Sequence, residues 1–219
     1  DILSLKNLVI QFPHLELAIL FLPEKENVNR NPGIDWRNEF FNTIPKSNTA
    51  IHLCGKIVFH TILSDDFENS LLFQELKKTQ RIQLNINARK DIFSIEDIHK
   101  IYKKLLSHDF EIILQYHKRS KSWILPFLNE HTSKNIHILL DASLGKGVTP
   151  EKFEVPEELT KFDLPIGFAG GLNPTNIESI HQQVKLFNLA NYWLDLESGV
   201  RTDNNFDMNK ARLLCENVF

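Results

Sequence analysis

Cysteine is scarce in this chain: Cys54 and Cys215 are the two in 219 residues. A disulfide-stapled secreted fold needs more of them, so a reducing compartment, the cytoplasm, is expected. Positive charge is not in excess either, with 25 Lys and Arg against 28 Asp and Glu and a formal net charge of -3. No basic field for nucleic acid or for a lipid surface is therefore expected. Apolar runs long enough to span a bilayer are missing, and Asp1 opens no signal-peptide pattern. Neither a phosphate-loop lysine motif nor a Ser-His-Asp arrangement is visible. Glycine is sparse as well, with eight residues, which makes the adjacent pair Gly170-Gly171 conspicuous. No linker divides the chain, so one domain over residues 1–219 is expected.

What is present is a rhythm. Seven short apolar runs recur, "LELAILF", "AIHLCG", "RIQLNIN", "EIILQYH", "NIHILLDAS", "LPIGFAGG" and "YWLDLESG", separated by segments of helical character. Strands alternating with helices predict a parallel α/β sheet. The opening "LSLKNLVIQF" reads as a helix. "SIEDIHKIYKKLLSH" reads as another, with Ser94 as cap, Asp97 at the capping-box position and residues 95, 98, 101, 102 and 105 on one apolar face. Asn176 and Asp207 are predicted to cap two later helices. An open doubly wound sheet and a TIM-type (β/α)8 barrel both fit. A helix first and seven strands favour the barrel, with its first strand lying upstream of residue 1.

Fully buried parallel strands read as apolar throughout. Here one parity is polar in strand after strand: His52 and Cys54; Gln83, Asn85 and Asn87; Gln115 and His117; Asp141; Asp195 and Glu197. Residues of one parity share a face, and these cluster toward the strands' C-terminal ends, where barrel enzymes place their chemistry. Glycines at Gly170, Gly171 and Gly199, with Ser198, close the last two strands ahead of helices. Such loops suit a phosphate group. Asp141 belongs to this shared polar region. Cys54 and Glu197 are catalytic candidates, Cys54 depending on thiolate character. His52, Cys54, His117, Asp141 and Glu197 are types that ligate zinc, but no spacing within one element supports a metal site. Cys215, beside Leu213 and Leu214, reads as core, and Trp36, Trp123 and Trp193 as packing.

"DASLGKGVTPEKF", "GFAGGLNPTNI" and "LDLESGVRTDNNFDMNKARLLCENV", in this order, resemble phosphoribosylanthranilate isomerases of tryptophan biosynthesis. The resemblance implies an eight-stranded barrel without metal or organic cofactor. It implies an Amadori rearrangement of a phosphorylated ribosyl adduct. By the same resemblance Asp141 is the general acid. Gly170, Gly171, Ser198 and Gly199 hold phosphate, and Gly145 and Gly147, flanking Lys146, are remnants of a glycine-rich loop. Arg30 is the nearest match to an arginine that meets the anthranilate carboxylate. The family's base is a cysteine on the first strand, expected upstream of residue 1. His52, Asn85, Gln115 and His117 complete the expected substrate-binding set. Where the family reads Gln-Leu-His-Gly, this chain has "QLNI". Two other readings stay open: a different phosphosugar enzyme using Cys54 or Glu197, and a non-catalytic barrel that binds a phosphorylated metabolite or a protein partner.

Overall fold

The computed structural model describes residues 1–28, 30–86, 93–131, 133–141, 149–150 and 152–218. Asn87, Gly145, Lys146 and Gly147 lie outside the described residues. The chain forms two compact units, Asp1–Ile113 and Leu114–Phe219. All seven expected strands form, in parallel, and within each unit they lie in chain order.

In the first unit, α1 (Ile2–Gln11) precedes β1 (Leu17–Phe21), α2 (Ile34–Thr43), β2 (Thr49–Leu53), α3 (Lys56–Leu63), α4 (Leu71–Leu76), β3 (Arg81–Leu84) and α5 (Ile95–Ser107). The register aligns Leu20 with His52 and Gln83. Residues in register share a face. Leu17, Ile19, Phe21, Ile51, Leu53, Ile82 and Leu84 form one buried face. His52 and Gln83 stand on the other. Helix α5 carries the expected capping box: Ser94 Oγ accepts from the Asp97 N–H at 3.0 Å, and Asp97 Oδ2 accepts from the Ser94 N–H at 3.3 Å. Ile98, Ile101, Tyr102 and Leu105 are buried as the pattern predicts, but Ile95 is 48% exposed, because it sits in the first turn at the helix end.

The second unit holds the second half of β4 (Glu111–Tyr116), then α6 (Lys121–Glu130), β5 (Ile136–Asp141), β6 (Ile166–Ala169), α7 (Ile177–Lys185) and β7 (Tyr192–Asp195). It ends with a hairpin, β8 (Arg201–Thr202) and β9 (Asn205–Phe206), and α8 (Met208–Glu216). Leu139 aligns with Gly167 and Trp193, and Asp141 with Ala169 and Asp195. Gly167 is small for a reason: a Cβ there would lie 2.2 Å from Cε2 of the Trp193 indole. His137 meets the same indole edge-on, with ring centroids 5.9 Å apart. Trp193 thus fills the layer beneath Asp141 and Asp195, as packing. On the opposite face Phe168 stacks on Phe187 at 5.7 Å. Asp207 caps α8 as expected, accepting from the N–H groups of Asn209 and Lys210. Cys215 is fully buried, and burial raises its thiol pKa to about 11, fitting a core residue. Among the described residues no helix is long and apolar enough to cross a membrane.

Candidate active site

In the second unit, Asp141 is the last residue of β5 and is 8% exposed. Its Oδ2 accepts from Gln115 Nε2 at 2.9 Å. Gln115, expected to bind substrate, therefore spends its amide on orienting this carboxylate. Beyond β4 the chain turns at His117. Its Nδ1 accepts from the backbone N–H groups of Arg119 and Ser120 at 3.1 and 3.2 Å, so the neutral ring carries its proton on Nε2. Desolvation holds this imidazole below its usual pKa, against the pull of Asp141 and with the help of Arg119. Ser120 Oγ locks the turn by donating to the Gln115 carbonyl at 2.8 Å and accepting from the His117 N–H at 2.9 Å. Asp195 is in register with Asp141 two strands away, which places their backbones about 10 Å apart at ordinary strand spacing.

Above this layer the two glycine loops touch. Gly170 and Gly171 take φ of 123° and 62°, in the region that favours glycine. The Gly171 carbonyl gathers three donors: Thr149 Oγ1 at 2.9 Å, Asn176 Nδ2 at 3.1 Å and Asn173 Nδ2 at 3.2 Å. Asn176 stands at the N-cap position of α7 as expected, but its side chain makes no capping bond. Its Oδ1 turns back to the Asn173 N–H at 2.8 Å, while Asn173 Oδ1 accepts from the Thr175 N–H at 2.9 Å in the turn ahead of the helix. The Asn-Pro step at 173–174 was the sequence signal for this. Gly199, in the 3-10 turn Ser198–Val200, lies directly on the first loop: an added Cβ would sit 1.9 Å from the Leu172 carbonyl oxygen. Glu197 precedes this turn and is exposed, as is Ser198.

The first unit carries an uncharged network. Cys54 follows β2 and donates its N–H to the Phe21 carbonyl at 3.0 Å. Its Sγ meets Asn85 Nδ2 at 3.4 Å, and Asn85 Oδ1 accepts from Gln83 Nε2 at 2.8 Å. His52 stands one step below on the same face. Desolvation draws its pKa down to about 4, against the Glu16 charge and with that of Arg81. Glu16 and Arg81 are themselves paired by two bonds of 2.8 Å. Arg30 is exposed, in the loop between β1 and α2, with a positive φ of 80°. The structure thus joins Asp141 with Gln115, Gly171 with Gly199's loop, and Cys54 with Asn85. Thr149, Asn173 and Ser120 were missed by the sequence reading; each acts on backbone, which leaves no periodic trace. Among the described residues no three His, Cys, Asp or Glu side chains gather to hold a metal ion.

This arrangement has relatives. An N-(5′-phosphoribosyl)anthranilate isomerase of Methanococcus maripaludis strain S2 is 37% identical over 81 residues, covering 37% of this chain and 35% of its own length. The chain therefore aligns with about a third of that relative. The phosphoribosyl anthranilate isomerase of Thermus thermophilus superposes with a TM-score of 0.58 at 15% identity, covering 100% of this chain and 94% of its own. TrpF of Jonesia denitrificans superposes with a TM-score of 0.60 at 15% identity, over 98% and 90% of the two chains. A further isomerase, solved with reduced 1-(o-carboxyphenylamino)-1-deoxyribulose 5-phosphate, gives 0.55 at 16% identity over 97% and 91%. These superpositions give the fold, an α/β fold of the TIM-barrel type. The sequence model of the N-(5′-phosphoribosyl)anthranilate isomerase family matches residues 95–217, more than half of the chain, and the chain belongs to that family.

Proposed function

We propose that the chain isomerises phosphoribosylanthranilate, an aldose-to-ketose Amadori rearrangement. The observation that carries this reading is Asp141: buried, at the end of its strand, and aimed by Gln115 at 2.9 Å. In the proposed reaction Asp141 gives its proton to the ribose ring oxygen as the bond from that oxygen to C1 breaks. A base then removes the proton on C2, and the enol so formed settles as the ketone. The contacting loops of Gly170, Gly171, Ser198 and Gly199 would hold the phosphate. A solved relative binds a reduced form of the rearranged product, which fits the same substrate class. His52 and His117 are held neutral by desolvation and would serve as hydrogen-bonding groups rather than cations. Asn85, with its amide on Cys54, and Arg30 would face the aglycone. The phosphorylated sugar adduct is the only partner proposed, and the cytoplasm the location.

Loss of phosphoribosylanthranilate fluorescence measures turnover. Cys54→Ser and Glu197→Gln assign the base: the variant that lowers kcat by about 100-fold or more identifies it. A folded chain that binds the reduced product analogue without any turnover would replace this reading with that of a binding protein.

A further inference from the structure

The loop from Leu22 to Gly33 carries Arg30, and it is built around a buried guanidinium. Arg37, on α2, is 2% exposed. Its Nε and Nη2 donate to the two carboxylate oxygens of Glu75 on α4 at 2.9 and 3.0 Å. Its Cζ lies 4.6 Å from the centroid of the Phe21 ring. Those contacts fix the guanidinium to the first unit's core. The remaining nitrogen, Nη1, reaches the loop. It donates to Glu26 Oε1 at 2.8 Å and to the Pro32 carbonyl at 2.7 Å. Glu26 and Pro32 flank Arg30 on either side, so one nitrogen clasps both arms of the loop.

A second clasp lies beside it. Asn31, 1% exposed, donates from Nδ2 to the carbonyls of Leu22 and Lys25 at 2.7 Å each, and its Oδ1 accepts from the Leu22 N–H at 3.2 Å. Gly33 approaches Asn27 so closely that a Cβ would lie 2.0 Å from its Oδ1. The tip is correspondingly forced: Val28 bridges to Asn31, and Asn27 and Arg30 take φ of 59° and 80°. A side chain as large as arginine seldom adopts such a backbone unless its surroundings impose it. Buried ion pairs add little stability over apolar packing, and their best-attested use is to select one arrangement.

We propose that Arg37 and Asn31 are positioning residues: they fix the loop so that Arg30 stands ready for the carboxylate of the substrate's aglycone. This rests on the isomerase reading for Arg30's role. Glu26→Gln is the test, because it weakens the clasp on the loop and leaves Arg37 paired with Glu75. Amide exchange over residues 23–33 should quicken by about tenfold with the melting temperature unchanged. KM should rise by about tenfold at constant kcat, and it should not rise further when Arg30→Ala is already present. Unchanged exchange would overturn the clasp. Quicker exchange with unchanged KM, or an equal rise in the Arg30→Ala background, would overturn the positioning role. If the wild-type chain does not turn over, the isomerase reading falls by itself. The same cycle is then read on anthranilate affinity. The proposal expects that affinity to be lost with Arg30→Ala and weakened with Glu26→Gln, and equal affinity in all three proteins contradicts it.

Discussion

The strand ends of the two units are built from different chemistry. In the second, one buried carboxylate, Asp141, is aimed by one amide, and two glycine loops press together above it. In the first, the corresponding positions carry an uncharged relay, Gln83 to Asn85 to Cys54, over a neutral His52. The family match runs from residue 95 to 217, so it takes in the second unit up to its last two residues and leaves β1, β2 and β3 outside. Asp141 and the glycine loops proposed to hold phosphate fall within the matched residues. Arg30 and Asn85, proposed to face the aglycone, fall outside them, as does His52.

Four variants sharpen or break this contrast. Arg37→Ala should be the most damaging, because it leaves Glu75 charged and buried; a loss of about 3–5 kcal/mol in urea unfolding is expected, and a loss below 1 would show that Arg37 does not organise the first unit. Gly199→Ala comes next. Its Cβ would meet backbone and not a yielding side chain, so a loss of up to about 3 kcal/mol is expected, together with weaker binding of the product analogue by calorimetry.

The third variant concerns pH. His52 has a folded pKa of about 4, below its usual value, so between these two values the unfolded chain binds more protons and stability falls as pH falls. From pH 7 to pH 5 His52 should contribute a loss of roughly 2 kcal/mol, which His52→Gln removes. The residual slope in that variant includes His117, whose pKa is lowered in the same direction. The smallest effect is expected for Asn173→Ala, about 1 kcal/mol for the lost bond that holds the turn ahead of α7; an equal loss from Asn176→Ala would show that the two asparagines share the work.

The strands were legible in the sequence because each is a short apolar run, and their polar parity was legible because the period of two survives whatever the tertiary context. Asp141 and the glycine pair could be read in the same way, the first from its place at a strand end and the second from the need for positive φ. The long-range contacts could not be read. Arg37 reaches Glu75 across 38 residues, and nothing in "DWRNEF" marks its arginine as buried. Gln115 was legible as a polar strand-end residue, but its bond to Asp141, 26 residues on, was not. The hairpin β8–β9 rests on Asp203 and Asn204 at positive φ and two residues per strand, too short for a periodic signal. Asn176 stands at the cap position that its composition suggested, but its side chain turns back onto the loop and not onto the helix, a choice the sequence does not show.

The most direct measurement compares kcat for phosphoribosylanthranilate between the wild-type chain and Asp141→Asn, which preserves the side chain's shape beside Gln115. The account predicts turnover by the wild type and a kcat lower by about 10²–10⁴-fold in the variant, with the product analogue still bound. Equal kcat in the two proteins would contradict Asp141 as the acid, and no turnover in either would contradict the proposed reaction.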